Sequence, residues 1–91
     1  MPAASSRAAS HALRRAVLGA IAARITRLGI TQAEAGAILG ISQPRVSALL
    51  HGRSEVFSLD TLVDLAARLG LRVRIEVLRP YRSRRTASTR P

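Results

Sequence analysis

The chain has no cysteine, no lysine and no tryptophan, and just one tyrosine and one phenylalanine. Without cysteine, neither a disulfide nor a thiolate metal site can form. With so few aromatics, any core must be built from Leu, Ile, Val and Ala. Acidic residues are scarce too: 5, against 15 basic residues that are all arginine, for a net charge of +10. Those scattered carboxylates, with His11 and His51 in different segments, assemble neither a nucleophile–base pair nor a ligand cluster. The chain is therefore not expected to be an enzyme or to hold a metal or cofactor. No apolar run approaches the roughly 18–20 residues of a membrane span. Residues 1–10, rich in Ala and Ser, lack the long apolar stretch of a secretory signal and read as a disordered N-terminus.

What is present is positive charge, unevenly spread. Residues 1–30 carry five arginines and no acid. Residues 31–60 set Arg45 and Arg53 against Glu34, Glu55 and Asp60. Residues 61–91 set eight arginines against Asp64 and Glu76. An all-arginine cation set also arises from a G+C-rich coding sequence, so the distribution is the better guide. Two basic ends flanking a nearly neutral middle favour a polyanionic partner, and charge alone does not separate DNA from RNA or an anionic membrane surface.

The 91 residues allow one compact domain, whose small core makes dimerisation a reasonable expectation. From about His11 to Leu28, the residues Leu13, Val17, Ile21, Ile25 and Leu28 recur at helical spacing, and Gly29 follows as a stop. Thr31 offers an N-cap hydroxyl to a short helix over Gln32–Leu39, ended by Gly40. Ser42 caps the next helix. Pro44 falls in its first turn, where a missing N–H costs nothing, and the helix stops at His51-Gly52. After a loop over Arg53–Phe57, Ser58 caps a fourth helix. Its expected apolar face is Leu59, Leu62, Val63, Ala66 and Leu69, with Asp60 near its positive end.

The period then changes. Leu71, Val73, Ile75 and Val77 alternate with Arg72, Arg74 and Glu76, the mark of a half-buried strand. A lone strand has unpaired edges, and its simplest partner is the same strand of a second chain. An antiparallel pairing centred on Ile75 sets Arg74 opposite Glu76 of the other subunit. The expected dimerisation set is Val73, Arg74, Ile75, Glu76 and Val77. Residues 79–91, with five arginines, two prolines and no acid, read as a disordered basic tail adding salt-sensitive phosphate affinity. The domain is thus expected over residues 11–78.

Two short helices joined by a glycine-containing turn make a helix-turn-helix. Gly36 is small enough for the second helix to cross closely. Gly40 sits in the turn, Ile41 plugs the core, and Val46 and Leu49 face inward. That leaves Gln43, Arg45 and Ser47 as outward positions near the start of the second helix. Their chemistry suits base reading: Arg pairs with guanine O6 and N7, Gln with adenine N6 and N7, and Ser with either.

These residues resemble the lambda-repressor-like (XRE) helix-turn-helix family. The pattern is carried by Thr31-Gln32-Ala33-Glu34-Ala35-Gly36, then Leu39-Gly40-Ile41-Ser42-Gln43-Pro44-Arg45-Val46-Ser47, then Leu50-His51-Gly52. The resemblance implies a mainly α, four-to-five-helix domain followed by one C-terminal β-strand that pairs across a homodimer. It implies that Gln32 contacts a phosphate, Gln43 and Arg45 enter the major groove, Ser47 reaches base or backbone, and Arg53 meets the backbone after the glycine turn. With Ser42, these form the expected DNA-binding set. Many relatives have a buried Arg–Glu pair where this chain has Ile25 and Leu50. An apolar pair can replace such an ion pair without loss of stability, so Ile25 is expected to meet Leu50. Arg24, on the apolar side of its helix, is a candidate partner for Glu34.

Phe57-Ser58-Leu59-Asp60 and Leu69-Gly70-Leu71-Arg72-Val73-Arg74-Ile75 are similar to the HigA-type antitoxin branch of this family. That likeness implies a cytoplasmic, nucleoid-associated bacterial repressor with three partners. These are double-stranded DNA at a palindromic operator, a second copy of the chain, and a small RNase-type toxin of the HigB/RelE kind. The strong positive charge is unusual for a protein that neutralises a basic toxin. A stand-alone XRE repressor, and an interaction module that has lost DNA binding, are the alternatives.

Overall fold

The computed structural model describes the backbone of residues 2–78 and the side chains from residue 8. Four α-helices follow one another: α1 Pro2–Leu28, α2 Gln32–Leu39, α3 Gln43–Leu50 and α4 Leu59–Arg68, with one 3-10 turn, Ser54–Val56, between the last two. Helix α1 packs against α4, the 3-10 turn and α3, while α2 packs against α3 and α4. The core they enclose is aliphatic apart from Phe57. Val17, Leu18, Ile21 and Ile25 of α1 meet Ala35, Leu39, Val46 and Leu49 of the paired short helices, and Leu62, Leu65 and Ala66 of α4. Ile25 is buried in this cluster and Leu50 packs against it, so both residues that stand in for the family's ion pair join one apolar core.

The short helices are held by their ends. At α2 a full capping box forms: the Thr31 hydroxyl accepts from the Glu34 N–H (3.0 Å), and the Glu34 carboxylate accepts from the Thr31 N–H (2.8 Å). At its other end Gly40 takes φ 72°, a left-handed conformation that a Cβ disfavours, and the N–H groups of Gly40 and Ile41 both reach the Gly36 carbonyl at 2.7 and 3.1 Å. Ser42 and Ser58 cap α3 and α4 through the N–H groups of Arg45 and Thr61. Such caps satisfy orphan donors within four residues of chain, which is why they were readable from sequence spacing.

Several expectations are corrected. Helix α1 begins at Pro2, not near His11. Ala is the best helix former, and an Ala-rich segment needs no apolar periodicity to be helical. Leu13 and Leu28 of the expected apolar stripe are exposed, whereas Leu18, outside it, is buried. On α4, Leu65 takes the buried place expected of Val63. The Arg24–Glu34 pair does not form. Glu34 is engaged in its capping box, and Arg24 Nε donates to the Leu69 carbonyl at 3.2 Å, placing a cation at the negative end of α4.

Among the described residues there is no strand. Leu71 closes α4, its N–H reaching the Ala66 carbonyl at 2.9 Å, and the chain then runs on to Leu78 without regular structure. Leu71 and Val73 are half-buried against the core, but Ile75, Val77 and Leu78 are exposed. Arg74 Nη2 donates to its own Glu76 at 2.8 Å. The alternation is real as a pattern, but a strand exists only where another edge completes its hydrogen bonds. The basic tail, residues 79–91, lies outside the described residues.

Candidate nucleic-acid interface

The α2–turn–α3 unit owes its geometry to the absence of a side chain at Gly36. A Cβ built there would lie 2.8 Å from the Ile41 carbonyl oxygen and 3.6 Å from a Val46 methyl. Gly36 therefore lets the turn backbone lie directly on α2. Val46 and Leu49, fully buried, then fix the rotation of α3 about its own axis. What α3 presents to solvent follows from that rotation at 3.6 residues per turn.

Opposite Val46 and Leu49 lie Pro44, Ser47, Ala48 and His51. With Arg53 they line a shallow depression of about 320 Å³. Gln43 and Arg45, two positions apart, fall on either flank of that face, both exposed. Ser47 is half-buried, with its hydroxyl 3.4 Å from His51 Nδ1. Because a carbonyl only accepts, the 2.8 Å contact between His51 Nδ1 and the Ser47 carbonyl places the proton on Nδ1. His51 thereby caps the C-terminal end of α3.

Arg45 has a partner that no sequence pattern announced. Its guanidinium carbon lies 4.8 Å from the centroid of the Phe57 ring, the one phenylalanine of the chain, whose side chain is otherwise buried. A cation over an aromatic face gains about 0.5–1 kcal/mol at an exposed site. A guanidinium carries five N–H donors, and an aromatic ring beside it takes up none of the acceptor positions those donors need from a ligand. Phe57 reaches this position because the 3-10 turn brings the chain back beneath α3 after Gly52.

Of the remaining expected DNA contacts, Gln32 is the first residue of α2, half-buried. Ser42 is exposed at the α3 N-cap, and Arg53 is exposed at the head of the 3-10 turn. The sequence had singled out Gln43, Arg45 and Ser47 as outward positions with base-reading chemistry. It passed over Pro44, Ala48 and His51 at the centre of the same face. Their i, i+4, i+7 spacing was the available signal. Among the described residues no three His, Asp or Glu side chains converge to hold a metal, and no helix is long and apolar enough to cross a membrane.

A family model described as a helix-turn-helix domain matches residues 3–78, nearly the whole described chain. A solved structure described as an XRE-family transcriptional regulator is 37% identical, with a TM-score of 0.77, covering 86% of this chain and 88% of its own. No curated protein matches the chain. The chain belongs to the XRE family of helix-turn-helix proteins.

Proposed function

We propose that this chain is a sequence-specific, DNA-binding transcriptional repressor that reads a palindromic operator as a homodimer. The observation that carries this reading is helix α3. Its inner face is locked by Val46 and Leu49, and its outer face is exposed with Gln43, Ser47 and Arg45 at hand and Arg53 at its exit. The description of the matched relative as a transcriptional regulator agrees with it. Gln32, Ser42 and Arg53 hold phosphates, while Gln43, Arg45 and Ser47 face the bases. Residues 11–78 act as the binding domain and residues 79–91 as a basic tail. Dimerisation uses the 71–78 segment, with Arg74 exchanging its own Glu76 for that of the partner subunit.

In the finer form of the proposal, the chain is the antitoxin of a type II toxin–antitoxin operon. It represses that operon in the bacterial cytoplasm and neutralises a HigB/RelE-like toxin. The two segments similar to the HigA-type branch support this; the +10 charge favours instead a stand-alone regulator.

Fluorescence anisotropy with an inverted repeat from upstream of its own gene, against a scrambled duplex, tests the DNA reading. Preference for the repeat, with half-sites about one helical turn apart, is expected. Equal binding to both duplexes at every salt concentration rejects it. Sedimentation of Ile75→Pro tests the dimer, since proline removes a ladder donor at the dyad. A dimeric Ile75→Pro protein rules out the strand pairing. Co-expression with a neighbouring RNase-like gene separates antitoxin from stand-alone regulator by whether growth is restored.

A further inference from the structure

The outward face of α3 carries a small apolar surface, Pro44 and Ala48, beside the polar Ser47 and His51. Pro44 is exposed and Ala48 half-buried, and neither extends far from the helix. Beside them stands the His51 ring, oriented by its Nδ1–H bond to the Ser47 carbonyl at 2.8 Å. With the proton on Nδ1, the other nitrogen, Nε2, is a bare acceptor in the neutral ring. Arg53, which completes the depression, supplies a cation at its rim.

Apolar surface and an acceptor side by side are complementary to one base-pair edge. In the major groove thymine offers its C5 methyl, and its paired adenine offers the N6 amino donor. A C·G pair offers a similar amino donor but no methyl. We infer that Pro44, Ala48 and His51 form a site for a single A·T pair in each half-site, with the thymine methyl against Pro44 and Ala48 and the adenine amino group on His51 Nε2. The short side chains require α3 to lie deep in the groove, which places Gln43 and Arg45 on the neighbouring base pairs to either side. This inference rests on α3 being the reading helix.

The test starts from a duplex recovered by the full chain from a randomised pool. Each thymine of that duplex is then replaced singly by uracil, which removes only the methyl. At one position per half-site, affinity should fall about three- to fourfold, the equivalent of the roughly 0.8 kcal/mol of one buried methyl. Ala48→Ser, which puts a hydroxyl on this surface, should make the thymine and uracil duplexes equivalent at that position. Replacing the paired adenine by purine, which lacks the amino group, should weaken binding to the native protein and leave His51→Ala indifferent. Because each comparison is a ratio within one variant, a general loss of stability cancels. Uracil tolerated at every position, or thymine sensitivity that survives in Ala48→Ser, overturns the site while leaving sequence reading intact. A pool from which no sequence emerges overturns both.

Discussion

The segment Thr31–Leu50 and the segment Leu71–Leu78 carry equally regular sequence patterns, yet the chain's own contacts fold only one of them. In the first, every orphan helix end finds a partner within a few residues: Thr31 with Glu34, Gly40 and Ile41 with Gly36, Ser42 with Arg45. In the second, α4 is closed by Leu71, and the exposed apolar side chains beyond it, Ile75, Val77 and Leu78, face outward. Helical order is satisfied locally, whereas strand order needs a second edge. A regular pattern therefore predicts structure only as far as its hydrogen-bond partners lie within reach.

The sharpest way to break this contrast is one kind of truncation made in both segments. Leu49→Ala, at a fully buried position, should cost about 2–5 kcal/mol in denaturant unfolding. Val77→Ala, at a residue 93% exposed, should leave monomer stability within about 0.5 kcal/mol. Comparable losses would mean that the 71–78 segment folds on its own chain. Next in size, Arg45→Ala should cost about 1–3 kcal/mol in specific binding and relax base preference at one position per half-site, read by anisotropy against a panel of single-base variants. A uniform loss over the whole panel would make Arg45 a phosphate contact instead.

Gly36→Ala probes the turn itself. Overpacking against the Ile41 carbonyl costs about 1–3 kcal/mol, and alanine returns about 1 kcal/mol of helix propensity. The difference, a net loss of up to about 2 kcal/mol, should lower Tm by about 4–8 °C per kcal/mol, and a raised Tm would show that the turn backbone can move aside. The smallest effect is expected from Thr31→Ala, which removes the hydroxyl half of the capping box at about 1 kcal/mol. Hydrogen exchange should then quicken in the first turn of α2. Unaltered protection there would show that packing, not the cap, holds that helix end.

Caps, turn glycine and inward aliphatics were readable because each is an arrangement within four or five residues. The start of α1 was not, because Ala-rich helix has no apolar period to mark it. Arg24 was assigned the wrong partner for a different reason. Glu34 is its nearest acid along the chain, whereas the Leu69 carbonyl becomes its neighbour only when α4 folds back over α1. The same limit applies to Arg45. Its side chain was chosen for its chemistry, and only the return of the chain through the 3-10 turn sets Phe57 beneath it.

Local spacing thus sufficed to locate α2, α3 and α4 and the turn between the first two. It also sufficed to mark Val46 and Leu49 as inward, since helix geometry and capping depend on near neighbours alone. Which residues occupy the centre of the outward face of α3 was decided by packing. The close approach of Ile41 to Gly36 and the burial of Val46 and Leu49 set how far α3 turns about its axis, bringing Pro44, Ala48 and His51 to the front and moving Gln43 and Arg45 to its flanks.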